Sequence, residues 1–93
     1  MVLRAELGRL NRLRALRELE TTIVLYESPH RIVPTLEAIR EVFGETPLVL
    51  ARELTKQFEE IVAATPSQHL ERLAAAPIRG EFTLVIPAAA APP

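Results

Sequence analysis

The chain has 93 residues, of which 48% are hydrophobic and 25% charged, and its formal net charge is −1 at pH 7. This length allows one domain at most, and a near-zero charge gives no overall attraction to nucleic acid or to a membrane. The absence of cysteine excludes disulfides and thiolate chemistry and fits a reducing cytoplasm. No apolar run approaches the ~20 residues that a membrane span needs.

The amino-terminal segment carries leucines every three or four residues with arginines between them, which predicts an amphipathic helix over 3–19. Five arginines against Glu6 and Glu18 give this segment a local excess of three positive charges. Such a helix can touch phosphate, but a solvated helix face is the commoner explanation.

The β-branched run Thr21–Tyr26 predicts a buried strand. Ser28 followed by Pro29 is the pair expected at the N-cap and first position of a helix, because the missing N–H of proline costs nothing there. We therefore expect a helix to begin at Ser28.

That helix is predicted to continue to Phe43 on an apolar stripe with spacing i, i+4, i+7 and i+11 that begins at Ile32. Gly44 is placed to close it in a left-handed conformation. Pro34 removes a hydrogen bond near the second turn, so we expect either a kink or a helix that restarts there.

A second buried strand is predicted over Leu48–Arg52, followed by a polar connector, Glu53–Gln57, and a weaker strand, Phe58–Ala64. The short connector predicts that these two strands form a hairpin. Thr65 and Gln68 match a capping box, which predicts a helix over 66–76.

The last strand is predicted over Gly80–Ile86, and residues 88–93, which contain only alanine and proline, are expected to be disordered. Alternation of strands and helices predicts an α/β fold with a mixed, mostly parallel sheet of about four strands flanked by helices. Strands joined by a helix are normally parallel, so only the hairpin is expected to be antiparallel.

Polar clusters flank three of the predicted strands. Each alone has an ordinary structural explanation: a helix cap, a surface ion pair or a turn. Three clusters at corresponding strand ends favour one shared cleft, because ligands of such sheets gather at the carboxyl ends of strands. The clusters are Glu27–Arg31, Arg52–Lys56 and Gly80–Glu81.

Four segments in order, at short spacings, resemble the ribosomal RNA small subunit methyltransferase I family, a member of the tetrapyrrole-methylase-like group. The resemblance is to the carboxy-terminal half of that family and covers about residues 4–87. The segments are Thr22–Arg31, Thr35–Ile39, Ala51–Lys56 and Arg79–Ile86.

The resemblance implies 2′-O-methylation of a cytidine in small-subunit ribosomal RNA, with S-adenosylmethionine as the methyl donor. It implies two α/β lobes with the donor between them, of which residues 1–87 are the second lobe. We therefore expect this chain to be inactive without the missing amino-terminal lobe. A homodimer in the cytoplasm, with no metal and no membrane contact, is also expected.

Methyl transfer to a ribose hydroxyl needs a base and cationic groups for the RNA backbone. The candidate catalytic residues are phosphate partners (Arg31, Arg52, Lys56) and a base or a group that orients one (Glu27, His30, Glu81). His30 is preferred to His69, which lies inside the last helix and is expected to be partly exposed.

In the wider methylase group, the strand that ends in Leu25 and Tyr26 here and the start of the last strand lie against the adenine of the donor. This implies Tyr26, Glu27, Glu81 and Phe82 as cofactor contacts, although core packing explains Tyr26 and Phe82 equally well. Two alternatives stay open. One is a non-catalytic α/β interaction or RNA-binding module. The other is a methylase of the same fold that acts on a tetrapyrrole or another small molecule.

Overall fold

The computed structural model describes residues 6–55 and 58–88. Lys56, the residues before Glu6 and the tail from residue 89 onward lie outside this description, and so do the predictions made for them. The described elements follow the predicted order: α1 (Glu6–Glu18), β1 (Ile23–Glu27), α2 (Ile32–Phe43), β2 (Leu48–Thr55), β3 (Phe58–Ala64), α3 (Pro66–Ala74) and β4 (Glu81–Ile86). None of these three helices is long and apolar enough to cross a membrane.

The sheet is antiparallel throughout, so the prediction of a mostly parallel sheet was wrong. The strand order is β1-β4-β2-β3, and every neighbouring pair is antiparallel. β1 and β2 do run in the same direction, as expected for strands joined by a helix, but they are not neighbours. β4 lies between them and runs the opposite way, so it converts one expected parallel pair into two antiparallel pairs.

The two faces of the sheet differ in what covers them. On one face the buried strand residues form a single core with α1, α2 and α3, to which Leu13, Leu36 and Leu73 contribute. The strand residues that alternate with the buried ones point to the other face. No described element covers that face, and we call it the open face. Val24 is 46% exposed there and Ile61 is 68% exposed. The domain is therefore a two-layer structure with one apolar sheet surface left open.

The start of α2 differs from the prediction that Ser28 caps it. The N-cap is Arg31, and no side chain caps the helix there. The Ser28 carbonyl instead accepts a hydrogen bond from the Arg31 N–H at 3.1 Å, which makes a separate turn. Pro34 consequently lies in the first turn of α2, where its missing N–H has no intrahelical acceptor to lose. No second helix start is found at Pro34, because α2 runs continuously from Ile32 to Phe43.

The hairpin and the end of α2 at Gly44 lie where the sequence predicts, but Gly44 does not take the predicted left-handed helical conformation. Gly44 has φ +70°, and its N–H donates to the Arg40 carbonyl at 2.8 Å. Its ψ of −155° places it outside the left-handed helical region, in a region that is essentially restricted to glycine. β2 and β3 form the predicted hairpin, although β2 continues to Thr55 and so extends into the expected connector. The capping box of α3 is confirmed on Thr65 and Gln68.

Candidate functional site

The three polar clusters meet at one edge of the sheet. Phe82, near the start of β4, pairs with Glu27 of β1 on one side and with Arg52 of β2 on the other. Glu81 pairs with Glu53. The clusters meet because β4 is antiparallel to both neighbours, so its beginning lies beside the ends of β1 and β2. The sequence analysis predicted that the clusters would meet at the carboxyl ends of parallel strands, so the meeting is confirmed for a different reason.

Glu27 is held in place by two hydrogen bonds. Its Oε1 accepts from the Ser28 backbone N–H at 3.0 Å, and its Oε2 accepts from the Thr35 hydroxyl at 2.7 Å. Thr35 is 1% exposed, on the buried stripe of α2. Glu27 therefore joins the end of β1 to the first turn of α2, and this bonding occupies both carboxylate oxygens.

The turn between β1 and α2 presents two exposed cationic or titratable side chains, His30 and Arg31. Arg31 lines a cavity of about 300 Å³ together with Tyr26, Glu27 and Glu81. The structure therefore brings Arg31 into the same concave region as three of the predicted cofactor contacts.

A larger cavity of about 450 Å³ lies at the same edge on the open face, and we call it the sheet-face cavity. Tyr26, which is 70% exposed, and Ala51 line its apolar side. Three glutamates stand in a row along it, because Glu53 pairs with Glu59 on one side and with Glu81 on the other. Like charges at paired positions repel one another, so this row favours a cation nearby.

Phe82 does not present its ring to this cavity as an exposed surface. The residue is 1% exposed and belongs to the core. Of the two predicted aromatic contacts, Tyr26 therefore offers an exposed ring, whereas the Phe82 ring is buried in the core.

Arg52 lies on the helix-covered face and is already paired. Its Nη2 donates to Glu60 Oε1 at 3.2 Å, and its guanidinium lies 5.8 Å from the centre of the Phe82 ring. The same Glu60 oxygen accepts from Arg72 Nη2 at 3.3 Å. The Arg52 side chain is 18% exposed, so it lies much deeper than Arg31.

His69 is buried, and the expectation that it is partly exposed was wrong. The residue is 1% exposed, and its Nε2 lies 2.9 Å from the Leu48 carbonyl oxygen. The short helix α3 turns this side chain towards β2 and not towards solvent. Next to it lies a cavity of about 240 Å³ between α3 and the sheet, the α3 cavity, which Arg52, Arg72 and Phe82 also line.

Sequence reasoning missed Thr35, Glu60 and His69 as partners in this region. Thr35 follows Ile32 by three residues on the apolar stripe of α2, so its helical position was a signal for burial. Glu60 meets Arg52 only through the β2–β3 register, which the sequence does not specify. Within the described residues, no group of three or more His, Cys, Asp or Glu side chains is placed to hold a metal ion.

Comparison with known proteins gives consistent results. A Bacillus subtilis protein named ribosomal RNA small subunit methyltransferase I is 42% identical over 74 residues, 80% of this chain and 25% of the relative. A Micromonospora olivasterospora protein of the same name is 39% identical over 84 residues, 89% of this chain and 27% of the relative.

A Pseudomonas aeruginosa protein of that name is 51% identical over 55 residues, 58% of this chain and 20% of the relative. No protein-family model matches the chain. The chain spans about a quarter of the length of the curated relatives that it matches. Over the stretch that these relatives match, the chain belongs to the ribosomal RNA small subunit methyltransferase I family.

Proposed function

We propose that residues 1–87 are the carboxy-terminal lobe of an enzyme that methylates small-subunit ribosomal RNA in the cytoplasm. The reaction is transfer of a methyl group from S-adenosylmethionine to the 2′-hydroxyl of a cytidine. The observation that carries this proposal is the meeting of three polar clusters at one sheet edge, beside two cavities. The names of the relatives supply the substrate class.

The sheet-face cavity fits the chemistry of the methyl donor. S-adenosylmethionine carries a sulfonium and an ammonium group, both cationic, and the row formed by Glu53, Glu59 and Glu81 is anionic. The exposed ring of Tyr26 offers a flat surface for the adenine. We assign the donor contacts to Tyr26, to Glu81 and to the backbone of Glu27 and Phe82. The donor supplies an electrophilic methyl group, and this chain would position it.

The residues around the turn before α2 fit the RNA. Arg31 is exposed beside the cavity and can pair with a phosphate through two parallel N–H bonds. A base must take the proton of the ribose hydroxyl, and His30 and Glu81 are exposed enough to do so. Glu27 is better suited to a positioning role, because both of its oxygens already accept hydrogen bonds. Arg52 is likewise held by Glu60, and Lys56 remains a candidate phosphate partner from sequence alone.

The open face fits a lobe that packs against more protein. Its exposed Val24, Tyr26 and Ile61 form a broader apolar surface than single surface residues do. We propose that the missing amino-terminal lobe or a second subunit covers it in the complete enzyme, which would be a homodimer.

A chimera tests the catalytic proposal. The residues of this chain replace the matching quarter of the Bacillus subtilis relative, and tritiated methyl transfer to small ribosomal subunits is measured. We expect activity, and at least about a tenfold loss for Glu81→Gln and for Arg31→Ala, the effect of losing one charged contact or proton acceptor. Glu71→Gln, on the exposed side of α3, is the matched control. Full activity of both test variants would refute the site assignment.

Titration calorimetry of the isolated chain separates half a site from a self-sufficient module. With S-adenosylmethionine at millimolar concentration we expect no heat of binding from the sheet-face cavity, because one wall of the cleft is absent. Micromolar binding by these 93 residues would contradict the half-site proposal. An inactive chimera whose chain still binds small-subunit RNA would favour the alternative of a non-catalytic RNA-binding module.

A further inference from the structure

The α3 cavity lies on the helix-covered side of the sheet, opposite the sheet-face cavity. It encloses about 240 Å³, and most of its wall is apolar, formed by Leu50, Val62, Leu73 and Phe82. Arg52 and His69 also line it, with Arg72 near Glu60 at its more exposed side. An apolar cavity with a few polar groups is the usual form of a small-molecule site.

His69 lines this cavity and carries a buried hydrogen-bond acceptor. Its Nε2 faces the Leu48 carbonyl oxygen at 2.9 Å, and a carbonyl can only accept, so Nε2 carries the proton. In the neutral ring Nδ1 is then an acceptor. Nδ1 is buried and has no hydrogen-bond partner within residues 6–55 and 58–88.

Arg52 lines the same cavity and carries a buried donor. Its Nη2 is taken by Glu60, but its buried Nε–H has no partner among the described residues. Buried polar groups are nearly always satisfied, because leaving one without a partner is costly. One acceptor and one donor, on two residues that line the same cavity, therefore call for a molecule that can satisfy both.

We propose that the α3 cavity binds a planar nitrogen heterocycle whose edge carries a hydrogen-bond acceptor next to a donor. Its acceptor would receive the Arg52 Nε–H, and its donor would bond His69 Nδ1. Its faces would lie among the apolar walls, where the Phe82 ring is already within 5.8 Å of the Arg52 guanidinium. Cytosine and adenine both have such an edge. This proposal does not depend on whether the chain takes part in methyl transfer.

Nitrogen NMR of the 93-residue chain tests this proposal directly. Cytidine, adenosine and toluene are titrated separately, and the ¹⁵N shifts of the two imidazoles are followed. We expect a saturable change at His69 Nδ1 with a nucleoside and none at His30, which is exposed in the turn before α2 and does not line this cavity. Preference for cytidine would identify an RNA base as the ligand, and preference for adenosine would identify the adenine of a nucleoside cofactor. Equal affinity for cytidine and adenosine would support the general class of planar nitrogen heterocycles as the ligand.

Arg52→Lys is the variant that tests the donor, because it keeps the charge and removes Nε–H. We expect affinity for the nucleoside to fall about tenfold, the effect of losing one hydrogen bond from a charged group. Arg40→Lys, on the exposed side of α2, is the matched control and should bind as the parent does. Backbone amide spectra of both variants report whether the fold is retained.

Two results would overturn the proposal. One is no saturable change at His69 up to the solubility limit of both nucleosides, which would leave water as the partner of these groups. The other is an equal change with toluene, which has no hydrogen-bonding edge, because the cavity would then select apolar volume alone. S-adenosylmethionine carries the adenine edge too, so binding of it that Arg52→Lys weakens and Glu81→Gln leaves unchanged would belong to the α3 cavity and would not bear on the half-site proposal.

Discussion

The hydroxyl of Thr35 donates a 2.7 Å hydrogen bond to the Glu27 carboxylate, and this bond ties the end of β1 to the first turn of α2. Thr35 is buried on the helix stripe, whereas Glu27 lies at the edge where the three polar clusters meet. The position of that edge therefore depends on the packing of α2. A carboxylate that sequence alone presents as a candidate base acts in the fold as a link between two elements.

Thr35→Val should lower the free energy of unfolding by about 1–3 kcal/mol, because a part-buried carboxylate loses its donor while the side-chain volume is kept. Urea unfolding followed by circular dichroism measures the change. Thr22→Val, at an exposed position before β1, is the matched control and should stay within about 0.5 kcal/mol. Equal stability of the two variants would mean that the Thr35–Glu27 bond contributes nothing.

Gly80→Ala should be more destabilising than Gly44→Ala. Both glycines have positive φ, which costs a non-glycine residue about 1–3 kcal/mol. A Cβ at Gly44 would meet open space, whereas one at Gly80 would overlap the backbone carbonyl of Glu53. The excess loss at Gly80 should appear in urea unfolding and as faster amide exchange at the β2–β4 pairing. Equal losses at both positions would show that backbone strain alone accounts for Gly80.

Glu45→Gln should weaken the fold in a pH-dependent way. The Ser67 hydroxyl and backbone N–H donate to the Glu45 carboxylate and lower its pKa. A group whose pKa is lowered by folding adds stability above its unfolded pKa, and that contribution is lost as the pH falls through its folded pKa.

The stability difference between the parent and Glu45→Gln should therefore be largest near pH 7 and shrink in acid. Unfolding curves at several pH values measure it. Glu37→Gln, on an exposed part of α2, is the control. A difference that stays constant with pH would contradict the role assigned to ionised Glu45.

Arg52→Ala should lower the free energy of unfolding more than Arg72→Ala does, although both guanidiniums reach the same oxygen of Glu60. Arg72 has a half-exposed side chain, so its ion pair should contribute about 0–1 kcal/mol. Arg52 is deeper and also loses its contact with the Phe82 ring, so about 1–3 kcal/mol is expected. Thermal unfolding of the two single variants compares them directly, and a larger loss for Arg72→Ala would reverse this ranking.

The open face should make the isolated chain self-associate. Sedimentation at high concentration should show dimers or larger species, and the double variant Val24→Lys with Ile61→Lys should shift them towards monomer. Leu19→Lys removes an equally exposed apolar side chain outside the sheet and is the matched control. A strict monomer in the parent chain would contradict the proposal that this surface is covered in the complete enzyme.

The sequence by itself determined the local elements. The capping box on Thr65 and Gln68, the end of α2 at Gly44 and the β2–β3 hairpin are confirmed, because each depends on residues a few positions apart. Helical and strand periodicities are local signals of the same kind, and they located every described element to within a few residues.

Only the tertiary structure decided which strands are neighbours. The insertion of β4 between β1 and β2 depends on pairing between residues 28 to 63 positions apart, for which no local pattern exists. The burial of His69, the pairing of Glu60 with Arg52 and the bond from Thr35 to Glu27 all follow from how the layers pack. A side chain's neighbours across a sheet or beneath a helix are set by register and packing, and these are properties of the whole fold.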